Sequence, residues 1–248
     1  MQVYVILPAA GLGTRMAGPQ PRHPNDKNPS PGTPAKQFLE LDGVPILIHS
    51  LRAFAAVERV AGIYVAVRKT EVERVEAQAA EYGFNTGRVH VVEGGDTRQE
   101  SVAHALAALP AGEDDIVLVH DAVRPLIDAA TIERTIEAVE QNGAAIVGLP
   151  AVDTIKQVER TAHGALITAT IPREFVVMAQ TPQGFRFGLL KKALAEATAD
   201  GFVGTDEASV AERAGIAVAV VPGSQVNLKI TQPGDLELAE FYLRQRSR

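Results

Sequence analysis

The chain has 248 residues, of which 46% are apolar, and it carries a formal net charge of −6 at pH 7. This apolar content is enough to bury the core of one domain with an appendage, and the acidic balance argues against a nucleic-acid partner. No apolar run reaches the roughly 20 residues of a membrane span. The chain contains no cysteine, which excludes disulfides and thiolate metal sites. The N-terminus lacks the basic region and cleavage site of a signal peptide, so we expect a cytoplasmic protein without a membrane partner.

Short β-branched runs alternate along the chain with longer helical patterns. The runs predict strands at 3–7, 63–67, 89–92, 116–120, 144–149 and 216–221. The periodic segments predict helices at 45–55, 70–82, 98–109, 128–142, 187–199, 206–214 and 233–245. Several strands are nearly continuous apolar runs, which is typical of strands covered on both faces. We therefore predict an α/β, Rossmann-like fold over 1–248, with a mostly parallel sheet and helices on both faces.

Two segments interrupt this alternation. Residues 17–35 contain six of the fifteen prolines and predict a long loop. Residues 155–158 and 166–171 alternate in polarity and are joined by a turn, which predicts a projecting β-hairpin. Because a lone hairpin is marginally stable in water, we expect it to pack on a second subunit as a dimerisation arm at about 152–174. A further short strand is predicted at 226–231.

A segment rich in glycine and alanine follows the first strand at 8–16, and includes Leu12 and Gly13. Small residues at the carboxyl end of a strand allow backbone N–H groups to hold phosphates. The dinucleotide-binding fingerprint fails because Met16 replaces its third glycine, and the P-loop pattern fails because Pro19 replaces its lysine. The simpler alternative is a tight turn without a ligand.

Two cations near this segment favour phosphate chemistry. Arg15 ends the glycine-rich segment, and Lys36 follows the proline-rich loop. Fixed cations stabilise the extra negative charge that develops around phosphorus during nucleotidyl transfer. Otherwise both residues are ordinary solvated surface cations.

Other candidate site residues follow later strands. Asp121, after the strand predicted at 116–120, is suited to binding Mg²⁺, accepting from a hydroxyl, capping a helix or pairing with Arg124. Its neighbour His120 is interpreted as structural. Lys229 lies among apolar residues, which favours an anionic partner, although an edge-strand lysine is the simpler interpretation.

A glycine turn before the helix predicted at 98–109 offers close backbone approach. Gly95 and Asp96 belong to this turn, which gives a nucleotide base a surface of backbone donors and acceptors. The alternative is a plain turn in which Asp96 caps the helix.

These residues belong to a set of segments that resembles one enzyme family, the 2-C-methyl-D-erythritol 4-phosphate cytidylyltransferases. The matching segments are 8–16, 34–38, 94–102, 119–125, 152–156, 180–185, 205–208 and 227–231. They occur in order and span almost the whole chain. The spacing between Arg15 and Lys36 is longer than is usual in the family.

The resemblance implies transfer of CMP from CTP to methylerythritol phosphate with release of pyrophosphate, in non-mevalonate isoprenoid synthesis. It also implies Mg²⁺ or another divalent cation, and a homodimer whose arms embrace. Arg15 and Lys36 match the cations that stabilise the transition state, and Arg173 and Lys229 match residues that position the substrate phosphate. The matches to nucleotide contacts are Ala9, Ala10, Gly11, Gly95, Asp96 and Ser101, and those to polyol-phosphate contacts are Asp121, Arg124, Thr154 and Thr181.

Three other functions compete with this one. Ribitol 5-phosphate cytidylyltransferase would share the fold, CTP and the mechanism. A non-catalytic nucleotide-binding regulator predicts the loss of the cationic pair, yet Arg15 and Lys36 are both present. A Rossmann dehydrogenase is disfavoured by the failed fingerprint.

Overall fold

A computed structural model of the chain describes residues 1–11, 36–84, 87–162 and 164–246. The strands are β1 Val3–Pro8, β2 Glu40–Leu41, β3 Val44–Pro45, β4 Val60–Val67, β5 Val89–Glu93, β6 Ile116–Val119, β7 Ala144–Pro150, β8 Ile155–Thr161, β9 Gly164–Ile171, β10 Val177–Arg186 and β11 Ala219–Pro222. The helices are α1 Ile46–Ala55, α2 Val72–Glu81, α3 Arg98–Ala108, α4 Ala129–Asn142, α5 Phe187–Ala199, α6 Glu207–Arg213 and α7 Pro233–Arg246. Short 3₁₀ turns occupy Lys36–Phe38, Lys69–Glu71 and Arg173–Phe175.

Seven of these strands form the central sheet, in the order β11-β7-β10-β6-β1-β4-β5. Strand β1 pairs in parallel with β4 and β6, β4 with β5, and β7 with β11. Strand β10 runs antiparallel to both of its neighbours, β6 and β7. The predicted mostly parallel sheet is therefore confirmed.

Helices cover both faces of the sheet. On one face, Leu51 of α1 and Ile136 of α4 pack in a core with Val65 of β4. On the other face, Val102 of α3 and Leu190 of α5 pack in a second core. Every residue of β6 is buried, because both of its faces lie under helices. Among the described residues, no helix is long and apolar enough to cross a membrane.

Three helices, α3, α4 and α6, begin at side-chain caps. Thr97 caps α3 and, with Glu100, forms a reciprocal capping box. The alternative that Asp96 caps this helix is therefore wrong, which leaves its carboxylate available to the cavity described below. Asp128 caps α4 and Asp206 caps α6.

Besides the two-residue strands β2 and β3, which were not predicted, three parts of the fold differ from the prediction. Strand β10 was not predicted, because its sequence contains proline and glycine and alternates poorly. Strand β11 begins at Ala219 rather than at residue 216. Residues 226–231 form no strand, since their backbone is held by side chains and by neighbouring loops rather than by a sheet ladder.

Strands β8 and β9 form a separate antiparallel hairpin, as predicted for residues 155–171. Every residue of β9 is exposed, including Leu166 (64%) and Ile167 (65%). Phe175, at the foot of the hairpin, is 82% exposed. The arm therefore carries apolar side chains that nothing in this chain covers among the described residues.

Candidate active site

Three strands of the parallel part of the sheet deliver their carboxyl ends to one cavity of about 300 Å³. The first loop follows β1, the second follows β5, and Asp121 lies just beyond β6. Such convergence is where open α/β sheets bind ligands. The residues that line the cavity are Pro8, Ala9, Ala10, Gly11, Lys36, Gln37, Gly95, Asp96, Thr97, Arg98, Ser101, Asp121, Ala122, Val123, Lys229, Ile230 and Thr231.

The first loop, residues 8–11, is held by hydrogen bonds from several directions. The N–H of Ala9 donates to the carbonyl oxygen of Ala66 (2.7 Å), which extends the pairing of β1 with β4. Gln37 donates through Nε2 to the carbonyl oxygen of Ala9 (2.6 Å). Arg68 donates through Nε to the carbonyl oxygen of Ala10 (2.9 Å). Because its own N–H is engaged, Ala9 contributes to the cavity by close approach rather than as a donor.

The second loop requires its glycines. A Cβ on Gly95 would lie 2.3 Å from Cβ of Glu100, and one on Gly94 would lie 3.1 Å from Cβ of Ala10. Glycine at position 94 therefore lets the second loop pack on the first, and glycine at position 95 lets it pack against the first turn of α3. The hydroxyl of Ser101 accepts from the N–H of Gly95 (3.1 Å) and donates to the carbonyl of Thr97 (2.9 Å), which fixes the turn.

Asp121 lies at the centre of a cluster of cations. One carboxylate oxygen lies 2.7 Å from Nζ of Lys229 and 3.6 Å from Nε of Arg124, and the other lies 3.2 Å from Nε of Arg98. Burial alone would raise the pKa of Asp121, but the charges of Arg98, Lys229 and Arg124 lower it well below the usual range. The residue is therefore a carboxylate under all ordinary conditions, and the interpretation of Asp121 as paired with Arg124 is confirmed, with two further partners.

Arg98 joins Asp121 to a second acid. Its Nη1 donates to Oε1 of Glu207 (2.6 Å), a side chain that is 2% exposed. Burial raises the pKa of Glu207, and the charge of Arg98 opposes this rise. Burial would lower the pKa of Arg98, but Glu207 and Asp121 outweigh it, so Arg98 stays charged. These contacts fix Arg98 and, through it, one side of Asp121.

A chain of hydrogen bonds supports Asp121 from behind. Nε2 of His120 contacts the carbonyl oxygen of Arg124 (3.0 Å) and therefore carries the proton. Nδ1 is then the acceptor for the hydroxyl of Thr181 (3.0 Å), whose oxygen accepts from the N–H of Asp121 (3.1 Å). Burial lowers the pKa of His120 to about 4. The structural interpretation of His120 is confirmed, since it holds the backbone at the end of β6.

Lys36 also lines the cavity, from the 3₁₀ turn Lys36–Phe38. Its Nζ donates to the carbonyl oxygen of Thr231 (2.7 Å), and the residue is largely buried. Lys36 therefore contacts the segment that also carries Lys229, and both lysines line the cavity. Two ammonium groups from distant parts of the chain face one cavity.

The predicted site residues fall into four groups. The cavity lining includes Ala9, Ala10, Gly11, Lys36, Gly95, Asp96, Ser101, Asp121 and Lys229. Arg124 and Thr181 contact Asp121 but do not line the cavity. Thr154 and Arg173 lie at the exposed base of the arm, where Arg173 donates to the carbonyl of Val152 (2.6 Å). Leu12, Gly13 and Arg15 lie outside the described residues, so their predicted roles stay predictions.

A resident metal ion fits these side chains poorly. Among the described residues, no group of three or more His, Asp or Glu side chains is arranged to hold a metal. Both oxygens of Asp121 already face cations, which disfavours a divalent ion at the same atoms. Direct metal binding by Asp121, as suggested from the sequence, finds no support in this geometry.

Comparison with known proteins gives these residues a context. A family model described as 2-C-methyl-D-erythritol 4-phosphate cytidylyltransferase matches residues 3–245. The chain belongs to this family. Curated members from Acidobacterium capsulatum and Solibacter usitatus are 69% and 50% identical to it, each covering 100% of this chain and 99% and 98% of their own length.

Solved structures of cytidylyltransferases share the fold. The 4-diphosphocytidyl-2C-methyl-D-erythritol synthase of Anaerococcus prevotii aligns with a TM-score of 0.80 at 28% identity, over 98% of this chain and 96% of its own. The 2-C-methyl-D-erythritol 4-phosphate cytidylyltransferase of Thermus thermophilus aligns with a TM-score of 0.73 at 34% identity, over 98% of this chain and 100% of its own. The predicted family and fold class are therefore confirmed.

Four polar residues of this cytidylyltransferase were not singled out from the sequence. Gln37, Arg68, Arg98 and Glu207 all hold parts of the cavity wall. Three of them lie in or next to segments that carried the family resemblance, and that position was the one available signal. Arg68 lies directly after β4. Its one signal in the sequence was this position, because open α/β sheets bind ligands at the carboxyl ends of their strands.

Proposed function

We propose that this cavity transfers CMP from CTP to 2-C-methyl-D-erythritol 4-phosphate, giving 4-diphosphocytidyl-2-C-methyl-D-erythritol and pyrophosphate. The observation that carries the proposal is the meeting of Lys36, Lys229 and the two glycine-containing loops at one sheet edge. Backbone donors and separate ammonium groups suit a ligand that brings both a base and several phosphates. Membership of the cytidylyltransferase family selects CTP and the polyol phosphate among such ligands.

The reaction needs little from the protein beyond placement and charge. A phosphate oxygen of methylerythritol phosphate attacks the α-phosphorus of CTP, and the bond from that phosphorus to the bridging β-oxygen breaks. Pyrophosphate leaves with the electron pair, and the new bond is the phosphoanhydride of the product. A phosphate monoester is largely a dianion at pH 7, because its second pKa is about 6, so no side chain has to remove a proton. Catalysis therefore rests on alignment and on stabilising the added negative charge.

The cations have two different roles in this proposal: some hold the cavity wall, and others contact the substrate phosphates. Arg98 is engaged by Glu207 and Asp121, so we assign it to holding the wall. Lys229 contacts Asp121 but keeps 38% of its side chain exposed, and its other donors are directed to the attacking phosphate in this proposal. Lys36 supports the transferring phosphoryl group together with Arg15. Backbone groups of Ala10, Gly11, Gly95 and the carboxylate of Asp96 are assigned to the nucleotide.

A divalent cation enters the proposal with the substrate. Mg²⁺ usually keeps several water ligands and binds nucleotide phosphates in preference to all-protein sites. We therefore propose that such an ion would be held by the triphosphate oxygens of CTP, where it would supply positive charge beside the phosphates. The described side chains act without binding it.

The proposed assembly is a homodimer, in the cytoplasm where CTP is available. Its support is the exposed apolar surface of the arm, including Leu166, Ile167 and Phe175. Burying such side chains stabilises an interface by about 2 kcal/mol for each large residue that leaves water. Thr154 and Arg173 lie at the base of the same arm, away from the cavity lining of their own chain. In the proposed dimer, both residues would contribute to the cavity of the partner subunit.

The test is a two-substrate assay on the purified chain. Pyrophosphate release from CTP is measured with methylerythritol 4-phosphate and, separately, with ribitol 5-phosphate, each with and without Mg²⁺. We expect turnover with the first acceptor and strong dependence on Mg²⁺. A clear preference for ribitol 5-phosphate would instead identify the sister enzyme, and binding of CTP without turnover on either acceptor would identify a regulator.

A further inference from the structure

The first loop offers two backbone donors to the cavity, those of Ala10 and Gly11. The N–H of Ala9 is engaged by Ala66, whereas within the described residues the N–H groups of Ala10 and Gly11 donate to no protein acceptor. Both residues line the cavity. An unsatisfied N–H pair on a loop after a strand is suited to an oxygen of a nucleotide.

The orientation of these two donors is set by the carbonyl groups that share their peptide planes. In a trans peptide, the carbonyl oxygen of one residue points opposite to the N–H of the next. The Ala9 carbonyl therefore fixes the direction of the Ala10 N–H, and the Ala10 carbonyl fixes that of Gly11. Two side chains from outside the loop hold these carbonyls, Gln37 at 2.6 Å and Arg68 at 2.9 Å.

These two hydrogen bonds matter because the first loop has few side-chain contacts of its own. Alanine and glycine side chains make no polar contacts, and a Cβ placed on Gly11 would meet nothing within 4 Å. The loop thus has little packing of its own to fix its peptide planes. Gln37 is buried, and Arg68 is partly buried at the end of β4, so both donors come from well-anchored positions.

We infer that Gln37 and Arg68 are positioning residues that orient the Ala10 and Gly11 N–H groups for an oxygen of CTP. Neither side chain needs to contact the nucleotide. Gln37 is also the neighbour of Lys36 in the same 3₁₀ turn. The turn that carries Lys36 therefore also orients the N–H of Ala10, so that one turn positions both the lysine and this donor. The inference rests on the proposed function, because it takes CTP as the ligand.

Arg88 provides a matched control. Its guanidinium also donates to backbone carbonyls, those of Val60 (2.6 Å), Ala55 (3.3 Å) and Val57 (3.5 Å), but at the amino end of β4, away from the cavity. Replacing Arg88 therefore removes the same kind of bond without touching the first loop. An effect shared by all such replacements would report stability rather than positioning.

The experiment compares Arg68→Met, Gln37→Met, Arg68→Lys and Arg88→Met with the wild-type chain. KM for CTP is measured at saturating methylerythritol phosphate, with KM for that acceptor and thermal stability measured in parallel. We expect KM for CTP to rise about tenfold in Arg68→Met and Gln37→Met, the fold-change expected for one hydrogen bond to a charged or well-placed donor. Arg68→Lys should recover most of this loss, and Arg88→Met should lower only stability.

Two results would show whether the positioning role or the proposed function is wrong. If Arg68→Met and Gln37→Met change KM for CTP no more than Arg88→Met does, the positioning role is wrong while the proposed function stands. If the wild-type chain does not convert CTP and methylerythritol phosphate, the proposed function fails first. If a methionine variant does not fold, Arg68→Lys still tests the inference. Lysine keeps a donor and the charge, so a KM for CTP that rises about tenfold in Arg68→Lys would contradict the positioning role.

Discussion

The ammonium nitrogen of Lys229 lies 2.7 Å from a carboxylate oxygen of Asp121, although the two residues are more than one hundred positions apart in the chain. The contact joins the end of β6 to an irregular segment that precedes α7. The carboxylate holds the ammonium group at the cavity wall. Residues 226–231 were predicted as a strand, and this ion pair is part of what positions them without one.

Replacing Asp121 with asparagine removes the shared counter-charge of Lys229, Arg98 and Arg124. We expect the free energy of unfolding to fall by about 3 kcal/mol, because breaking a buried ion pair leaves uncompensated charge. We also expect kcat/KM for the acceptor phosphate to fall by roughly 100-fold, as for other losses of fixed charge geometry. Urea unfolding and the coupled pyrophosphate assay measure these effects. Asp115→Asn, a surface acid that bonds backbone N–H groups, is the matched control.

Lys36→Met tests the cation placed against Thr231. We expect kcat to fall by about 100-fold or more, since a charge aimed at the transferring phosphoryl group acts mainly in the transition state. The circular dichroism spectrum should be preserved. Lys69→Met, an exposed lysine outside the cavity, should keep wild-type turnover. Wild-type kcat in Lys36→Met would remove this lysine from the catalytic machinery.

Glu207→Gln tests the buried pair that holds Arg98. The substitution keeps the shape of the side chain but removes its charge, so Arg98 retains only Asp121 as an acidic partner. We expect a loss of about 2 kcal/mol in the free energy of unfolding, measured by urea titration. Glu212→Gln, on the same helix but exposed, should change it by less than about 0.5 kcal/mol. Equal effects of the two substitutions would argue against a buried ion pair at Glu207.

Acid should destabilise the protein through His120. Burial lowers its pKa from 6.5 to about 4, so the unfolded chain binds the proton more readily than the folded chain between these two values. The stability that His120 contributes is fully present above pH 6.5 and is lost as the pH falls toward 4. From this residue alone we expect a loss on the order of 2 kcal/mol between pH 7 and pH 5. Urea titrations at both pH values should show a smaller difference for His120→Asn, and an undiminished difference would assign the effect to other groups.

Charges placed on the arm should prevent association. Leu166→Glu combined with Ile167→Glu puts two carboxylates on a surface that is more than 60% exposed in the single chain. We expect sedimentation equilibrium to show a dimer for the wild-type chain and a monomer for this variant, because burying unpaired charge is costly. Val203→Glu, which changes an equally exposed residue outside the arm (68%), should remain dimeric. A monomeric wild-type chain would contradict the proposed assembly.

Local signals predicted most of the fold. The helix predicted at 98–109 from its periodic pattern ends within one residue of the observed α3 Arg98–Ala108. Strand β6 follows from four consecutive apolar β-branched or leucine residues. Strand β10 could not be found in this way, because its burial comes from the strands on either side of it rather than from its own pattern. Which strand lies inside the sheet depends on the tertiary fold and not on the local pattern of that strand.

The site was predictable where chemistry lies at the carboxyl end of a recognisable strand. Asp121 was predicted in this way, whereas Gly95 was predicted from a glycine turn before a helix. Lys36 was predicted as a cation near the glycine-rich segment, and the family resemblance implied its catalytic role. The supporting contacts of Arg98 with Glu207, and of Arg68 with Ala10, join segments 109 and 58 positions apart. Such pairings depend on tertiary packing, so an isolated arginine in the sequence gives no indication of its partner.

Strand β10 runs from the foot of the arm to Thr181, the residue that accepts a hydrogen bond from the N–H of Asp121. One continuous backbone therefore connects the surface proposed for subunit association with the wall of the cavity. If association changes the affinity of a subunit for its ligand by some factor, thermodynamic linkage requires the ligand to change the affinity between subunits by that same factor. Turnover per subunit should accordingly fall on dilution, and saturating substrate should shift that fall to lower protein concentrations.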